Sequence, residues 1–300
     1  MKNNKIIEVD PQGFCGGVMN AIRIAKQVRK EHPKERITIL GNLVHNQYVK
    51  LALSTLNIET IDDKNKTRFQ LLDDIDEGIV IFTAHGVHPS LYHKAKEKGL
   101  KAFDASCRFV LQTQQIVQEK LKEGYTVFYI GKNKHPEAES IYTLNGPVFL
   151  IEKEEDIPLD LKEPIFVTNQ TTMSTLDIDH LFRKIKKLYP EASFNNEICN
   201  ATRVRQEAVL NLKNQKVDLL IVVGDPTSNN TNQLAHIGAL ANIPVIIKAE
   251  TVKDLESYDW NNQTIAITSG ASTPKYLTGQ IINYIKTGTI HPLKIENVLS

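Results

Sequence analysis

Three regularly spaced cysteines are the residues of this chain best suited to bind a metal or a cluster. Cys15, Cys107 and Cys199 are 92 residues apart in both intervals. An odd number of cysteines cannot form a complete disulfide framework, and the short Cys-x-x-Cys pairs of structural zinc sites do not occur. Three thiolates without a fourth fit an iron–sulfur cluster in which one iron lacks a protein ligand. Three unrelated buried thiols are the alternative.

The cysteines are expected at turns between a strand and a helix. Each follows a short apolar or β-prone stretch and opens a segment with helical character. After Cys15, the residues Val18, Ala21, Ile22 and Ala25 recur at the spacing of one helix face. The same position in each segment therefore predicts the same local structure around all three thiols.

A repeated strand pattern follows each predicted helix. An apolar stretch ends at Gly41, Gly131 and Gly224, which lie 26, 24 and 25 residues after the respective cysteines. A further apolar stretch then runs into a polar turn in each copy. This register predicts three copies of one unit rich in βαβ connections, with chance spacing as the alternative.

Alternating strands and helices predict an α/β fold whose parallel sheets are covered by helices on both faces. In such sheets, polar turns at the carboxyl ends of the strands line the ligand crevice. We predict three α/β repeat domains, related by a pseudo-threefold axis, around a central iron–sulfur cluster cavity. Their expected boundaries are residues 1–99, 100–192 and 193–300, the last with a C-terminal tail.

Composition narrows the classes of function. The 36 basic and 35 acidic residues give a net charge of +1, which argues against the cationic face of a nucleic-acid-binding protein. No apolar stretch reaches the length of a membrane helix, and no signal peptide is evident at the N-terminus. With so few cysteines, we expect a cytoplasmic protein in a reducing compartment.

Nine motifs, in this order, resemble those of the LytB or IspH family of 4-hydroxy-3-methylbut-2-enyl diphosphate reductases. They extend over nearly the whole chain. The motifs are GFCGGV (13–18), VHNQYV (44–49), AHGV (84–87), DASC (104–107), HPE (135–137), NQTT (169–172), the IC.AT..RQEA segment around Cys199, SNNTN (228–232) and GAS.P (270–274).

The resemblance implies a cofactor and a reaction. Cys15, Cys107 and Cys199 would bind three irons of a 4Fe-4S cluster, and the fourth iron would be open to the substrate hydroxyl. The reaction is the reductive dehydroxylation of an allylic diphosphate to isopentenyl and dimethylallyl diphosphates, the last step of the non-mevalonate isoprenoid pathway. It consumes two electrons, which a ferredoxin or flavodoxin type of donor would supply, and no nucleic acid or membrane partner is expected.

The resemblance also assigns the remaining site residues. Glu137 is expected to donate a proton, and Thr172 is expected to hydrogen-bond the substrate hydroxyl region and relay protons. The expected substrate-binding residues are His45, His85, His135, Thr171, Thr172, Ser228, Asn229, Asn230 and Ser272.

Three residues depart from the family pattern. Lys134 stands where glycine is usual, which bears on the backbone of the loop before His135. Arg108 follows a cluster cysteine where proline is usual, and would add a cation beside the cluster. Asn229 stands where serine is common, and its amide would replace one hydrogen-bond donor.

Two other classes of function remain open at this point. A non-redox iron–sulfur hydro-lyase acting on a phosphorylated hydroxy substrate would share the cluster but would need no electrons. A binding or scaffold protein with a degraded site is the second alternative. The presence of all three cysteines, Glu137 and the phosphate-binding residues argues against the scaffold.

Overall fold

Short, apolar strands form the framework of the computed structural model, which describes residues 4–63, 65–162, 164–259 and 261–300. The strands are β1 (Lys5–Glu8), β2 (Ile37–Leu40), β3 (Ile58–Ile61), β4 (Ile79–Phe82), β5 (Lys101–Asp104), β6 (Thr126–Ile130), β7 (Val148–Ile151), β8 (Ile165–Asn169), β9 (Ser193–Phe194), β10 (Leu219–Val223), β11 (Val245–Ala249) and β12 (Thr264–Ser269). The α-helices are α1 (Gly16–Glu31), α2 (Gln47–Ser54), α3 (Arg68–Asp73), α4 (Ser90–Glu97), α5 (Arg108–Lys122), α6 (Pro136–Tyr142), α7 (Thr175–Leu188), α8 (Asn200–Leu210), α9 (Asn229–Leu240) and α10 (Lys275–Thr287). Short 3₁₀ helices cover Glu154–Asp156, Asn211–Asn214, Val252–Leu255 and Ile295–Asn297.

The strands pair in three parallel four-stranded sheets of one topology. Their orders are β3-β2-β4-β5, β7-β6-β8-β9 and β11-β10-β12-β1. In each sheet the first strand along the repeat lies between the second and the third, and the fourth pairs with the third. The prediction of three repeated α/β units with parallel sheets is therefore confirmed. The pseudo-threefold arrangement around a central cavity stays a prediction.

The fourth strand of each sheet comes from a segment that precedes the cysteine of another repeat. In the sheet of β2, β3 and β4, the fourth strand is β5, which precedes Cys107. In the sheet of β10, β11 and β12, it is β1 from the start of the chain. The domain boundaries at 99/100 and 192/193 stay a prediction. The pairing adds that each sheet takes its last strand from the segment that leads to a cysteine.

Burial on both faces explains why the two central strands of each sheet are mostly apolar. In β6, Phe128 and Ile130 belong to one buried cluster, whereas Val127 and Tyr129 belong to another. Because successive side chains of a strand point to opposite faces, the sheet is covered on both sides. This is the pattern expected of parallel strands joined by helical crossovers.

The chain divides into two compact units. The first comprises residues 1–22, 44–57 and 200–300 and contains the sheet of β1, β10, β11 and β12. The second comprises residues 23–43 and 58–199 and contains the other two sheets. Within the described part of the chain, no helix combines the length and the apolar character needed to cross a membrane.

Candidate functional site

Each cysteine lies immediately before a helix, as the sequence predicts. Helices α1, α5 and α8 begin at Gly16, Arg108 and Asn200, one residue after the three cysteines. The repeat therefore places all three cysteines at the same point, immediately before the first residue of a helix.

A backbone hydrogen bond fixes each cysteine to its neighbouring turn. In every copy, the cysteine amide donates to the carbonyl of the second residue beyond the third strand of a sheet. The three pairs are Cys15 with Ala271 at 3.0 Å, Cys107 with Ala84 at 3.0 Å, and Cys199 with Thr171 at 3.1 Å.

The chemistry of these donors fits an iron–sulfur group better than a hard cation. The three cysteines are half-buried thiols, and none of them takes part in a disulfide bond. Across the described ranges, no three or more His, Cys, Asp or Glu side chains are grouped as a metal site, so the convergence of the three cysteines stays a prediction. Soft thiolate ligands favour iron–sulfur clusters, zinc or copper(I) over magnesium or calcium.

Helix α6 positions the candidate proton donor. His135 is its N-cap, Pro136 is its first residue and Glu137 its second. The amide of Glu137 donates to Nδ1 of His135 at 3.2 Å. Proline at this first position costs no hydrogen bond, because the first amides of a helix have no partner within it. The HPE motif therefore starts a helix and holds the carboxyl group at its N-terminal end.

Thr171 holds the carboxyl group of Glu137 through two hydrogen bonds. The Thr171 amide donates to Oε1 of Glu137 at 2.7 Å, and the Thr171 hydroxyl donates to Oε2 at 3.1 Å. The side chain of Glu137 is almost wholly buried, with 2% exposure. The acid is thus fixed in position and shielded from bulk water.

The surroundings of Glu137 bring its pKa close to neutrality. Burial raises the pKa from 4.5 to about 7, because desolvation disfavours the charged carboxylate. The two donors of Thr171 oppose this rise, whereas the negative charge of Glu197 adds to it. A carboxyl group with this pKa populates both protonation states near neutral pH, as a general acid requires.

The second threonine of the NQTT motif has other contacts. Thr172 Oγ1 accepts a hydrogen bond from Nε2 of Gln170 at 2.9 Å, and Oε1 of Gln170 accepts from the amide of Lys132 at 2.9 Å. Thr171, rather than Thr172, therefore contacts the acid in this structure. The assignment of Thr172 to the substrate hydroxyl stays a prediction.

Two of the predicted substrate-binding histidines lie together in the second unit. The rings of His85 and His135 are 5.7 Å apart between centroids and are nearly perpendicular. Because Nδ1 of His135 accepts from a backbone amide, the neutral ring carries its proton on Nε2. That N–H group is a donor suited to a phosphate oxygen.

Three of the predicted residues of the first unit are also brought together. Ser228 Oγ and Ser272 Oγ are 3.3 Å apart, and Ser272 Oγ donates to the backbone carbonyl of His45 at 3.1 Å. Both serines are buried. The structure thus joins the VHNQYV, SNNTN and GAS.P motifs through hydroxyl contacts.

The SNNTN motif lies at the start of a helix, which sequence reasoning did not predict. Ser228 is the N-cap of α9, and Asn229 and Asn230 are its first two residues. Asn230 Oδ1 accepts from the hydroxyl of Thr202 at 3.1 Å. The first amides of a helix and its dipole suit an anion, so this position strengthens the phosphate-binding interpretation.

The departures at Lys134 and Arg108 have local explanations. Lys134 has a φ of 60°, so it adopts the left-handed conformation for which glycine is favoured. A non-glycine residue pays roughly 1 to 2 kcal/mol in this region. The Arg108 guanidinium lies 4.8 Å from the centre of the Phe109 ring, a cation–π contact on the exposed side of α5.

Sequence reasoning missed two residues that support the site. Arg205 of the RQEA segment donates to the carbonyl of Gly13 at 2.8 Å, and so ties α8 to the loop before Cys15. Glu197 accepts from the hydroxyl of Thr113 at 3.2 Å, and burial raises its pKa. A carboxylate in the second residue before a predicted ligand cysteine was the available signal for Glu197.

The raised pKa of Glu137 predicts a specific dependence of stability on pH. The Glu137 carboxyl group ionises near pH 4.5 in the unfolded chain but near pH 7 in the native chain. Stability that is present below pH 4.5 is therefore lost as the pH rises through 7, because the unfolded state then binds fewer protons. Relative to Glu137→Gln, the unfolding free energy of the native chain should fall by about 3 kcal/mol over this range.

Urea denaturation of both proteins between pH 4 and pH 8 measures this difference. Any constant cost of the amide in Glu137→Gln shifts the whole curve and leaves the slope unaffected. A difference that does not vary with pH would contradict the near-neutral pKa.

Comparison with known proteins agrees with these motifs and with the fold. A model of the LytB protein family matches residues 6–286. A protein from Malacoplasma penetrans, named 4-hydroxy-3-methylbut-2-enyl diphosphate reductase, is 40% identical over 300 residues, covering 95% of this chain and 99% of that protein.

Two solved structures are also similar to the chain. The E-1-hydroxy-2-methyl-but-2-enyl-4-diphosphate reductase from Plasmodium falciparum matches with a TM-score of 0.85 and 32% identity, over 94% of this chain and 87% of that one. A structure described as (E)-4-hydroxy-3-methyl-but-2-enyl diphosphate reductase, the terminal enzyme of the non-mevalonate pathway, matches with a TM-score of 0.65 and 30% identity, over 95% and 99% of the two chains. On its family match, its sequence relatives and its fold, this chain belongs to the LytB protein family.

Proposed function

We propose that this protein reduces 4-hydroxy-3-methylbut-2-enyl diphosphate to isopentenyl and dimethylallyl diphosphates, the terminal reaction of the non-mevalonate pathway. The observation that carries the proposal is the buried Glu137 carboxyl group, held by Thr171, whose own carbonyl binds the amide of Cys199. An acid poised near neutral pH is thus joined through one residue to a predicted cluster ligand. Family membership supplies the substrate and the direction of the reaction.

The reaction requires an acid because hydroxide is a poor leaving group. One C–O bond breaks and one C–H bond forms, so two electrons and two protons enter and one water leaves. Glu137 donates a proton to the departing oxygen. The Thr171 amide and hydroxyl then stabilise the resulting carboxylate, since hydrogen bonds to a charged acceptor are stronger than those to a neutral one.

In each unit, polar side chains provide the donors that we propose for the diphosphate. His85 and His135 do so in the second unit, and His45, Ser228 and Ser272 do so in the first. Asn229 and Asn230 contribute from the beginning of α9. These are imidazole, hydroxyl and amide donors together with helix-terminal amides, rather than a lysine-bearing P-loop, and they bind an anion through many directed hydrogen bonds.

Cys15, Cys107 and Cys199 are the residues that would hold a 4Fe-4S cluster. Such a cluster would supply the electrons and a Lewis-acidic iron for the substrate oxygen. The three thiols fit this group in number, in softness and in their shared position before a helix.

The electron donor and the location complete the proposal. A low-potential carrier of the ferredoxin or flavodoxin type fits a reaction that consumes two electrons, and a cytoplasmic location fits cysteines that form no disulfide bond. Neither a nucleic acid nor a membrane is required by this chemistry.

Anaerobic turnover with a chemical reductant tests the function. With the hydroxylated diphosphate and reduced methyl viologen, the protein should form both products, as measured by mass spectrometry. Glu137→Gln should lower kcat by about 100-fold or more, because a positioned general acid contributes on this scale. The matched control Glu119→Gln, at an exposed position of α5, should leave kcat within about twofold of the original.

Two outcomes would reject the proposal. Conversion of the substrate without any reductant would favour the non-redox hydro-lyase, which needs no electrons. Unchanged turnover by Glu137→Gln would remove Glu137 from the role of acid.

Paired threonine variants separate the two members of the NQTT motif. Thr171→Val removes one donor from the carboxylate, so the pKa of Glu137 should rise further. The high-pH limb of the kcat profile should then move upward by about one pH unit, which corresponds to the strength of one charged hydrogen bond. Thr172→Val leaves the contacts of Glu137 intact and should not move this limb. A limb that moves only in Thr172→Val would reverse the assignment.

A further inference from the structure

The second unit contains a cavity separate from the residues assigned above. It has a volume of about 310 Å³ and lies among α3, the start of α4 and α6. Its lining includes Arg68, Phe69, Leu91, Glu139 and Ser140. None of its lining residues is a predicted cluster ligand, a predicted proton donor or a predicted diphosphate-binding residue.

A buried cation forms part of the cavity wall. Arg68 is only 8% exposed, and its guanidinium makes one hydrogen bond among the described residues, from Nη1 to the carbonyl of Gly86 at 2.9 Å. Glu139 and Asp62 act on Arg68 through their charges rather than through hydrogen bonds. A guanidinium has five N–H donors and Arg68 lines the cavity, so donors remain for a ligand there.

Arg68 is charged at neutral pH in spite of its burial. Desolvation lowers its pKa from 12.5 to about 10, which still leaves the guanidinium protonated. Gly41 provides the room for this group, since a Cβ at that position would lie 3.2 Å from Nη2 of Arg68. A buried cation with so few partners is favourable only when an anion or water satisfies its remaining donors.

The other walls indicate the kind of anion. Phe69, Val87, Leu91 and Pro136 give the cavity a largely apolar lining. Glu139, which lines the cavity, and Asp62 already oppose the charge of Arg68. A ligand with a single negative charge and an apolar body is therefore repelled less than a multiply charged diphosphate. The planar fork of a guanidinium pairs well with a carboxylate.

We propose that this cavity is a binding site for a small apolar monocarboxylate, with the carboxylate on Arg68 and the apolar body against Phe69 and Leu91. Such a ligand would pair with the Arg68 guanidinium and would cover the apolar wall of the cavity.

The cavity adjoins two segments that carry predicted active-site residues. Arg68 holds the carbonyl of Gly86, the residue after His85. On the other side, Ser140 lines the cavity, and its hydroxyl donates to the carbonyl of Glu137 at 2.8 Å. The side-chain amide of Gln114 joins the two segments, since it donates to the carbonyls of Val87 at 2.8 Å and Ser140 at 3.3 Å.

This placement gives the ligand a regulatory effect, which rests on the proposed function. A carboxylate that pairs with Arg68 draws the guanidinium toward the cavity and so weakens its hydrogen bond to the Gly86 carbonyl. The turn that carries His85 would then be held less firmly, so the KM for the diphosphate should rise while kcat changes little. The binding of the carboxylate does not itself depend on the reaction.

Calorimetric titration with 4-phenylbutyrate tests the site. The probe should bind. Its neutral analogue 4-phenylbutyramide should bind at least about tenfold more weakly, because it lacks the charge that pairs with Arg68. This comparison uses the unaltered protein and does not depend on the folding of a variant. Equal binding of acid and amide, or no binding of the acid, would overturn the proposal.

Variants locate the site. Arg68→Met keeps an apolar stem but removes the cation, and should weaken binding of the acid about tenfold. The matched control Arg183→Met makes the same change at an exposed position of α7 and should have no effect. Thr143→Trp, at an exposed position on the cavity edge, should also weaken binding by occupying the space. If neither Arg68→Met nor Thr143→Trp weakens binding, the probe binds elsewhere and the proposed site is rejected.

Activity assays distinguish this proposal from the proposed function. An increase in KM with 4-phenylbutyrate that disappears in Arg68→Met would support the regulatory effect, and an unchanged KM would reject it. A protein that binds the probe at Arg68 but does not reduce the diphosphate would reject the proposed function alone. A protein that reduces the diphosphate but does not bind the probe would reject the cavity site alone.

Discussion

A backbone hydrogen bond from each cysteine amide to the turn beyond a central strand is the constraint on which the predicted site depends. It occurs three times with distances of 3.0 to 3.1 Å. A parallel sheet holds the carboxyl ends of its strands at one edge, and these bonds fix each cysteine at that edge and at the start of a helix. The local position of the thiols therefore follows from the repeated topology rather than from any contact between the cysteines themselves.

Thr171 connects this framework to the acid chemistry. Its carbonyl accepts from the amide of Cys199, while its amide and hydroxyl donate to Glu137. One residue thus links a predicted cluster ligand and the predicted acid through three of its polar groups. Burial alone would suppress ionisation of Glu137, whereas the two donors of Thr171 stabilise the ionised carboxylate. The near-neutral pKa is the balance of these opposing effects.

The sequence was informative where a pattern repeats. The pattern around the cysteines predicted a helical segment opening at each of them, and the helices begin one residue later, at residues 16, 108 and 200. The glycines after the apolar stretches marked the ends of β2, β6 and β10. These features depend on local periodicity and turn chemistry, which the sequence contains. The motifs also identified the family, and with it the residues to examine.

Other features depend on tertiary contacts that a sequence pattern does not specify. Adjacent threonines are equivalent in the NQTT motif, and only the conformation of the turn directs Thr171 toward Glu137 and Thr172 toward Gln170. The left-handed backbone of Lys134 is unexpected for a lysine, although the glycine usual in the family was a hint. The cavity at Arg68 is formed by three helices that are separated along the chain, so no single motif indicates it.

The proposed cluster is most directly tested by counting iron and acid-labile sulfide in anaerobically purified protein, together with Mössbauer spectroscopy. Three equivalent thiol positions predict about four irons and four sulfides per chain, with one iron spectroscopically distinct, and loss of the cluster in each of Cys15→Ser, Cys107→Ser and Cys199→Ser. Bound zinc in place of iron, or a full iron content that survives any one of these substitutions, would contradict the role assigned to the three cysteines.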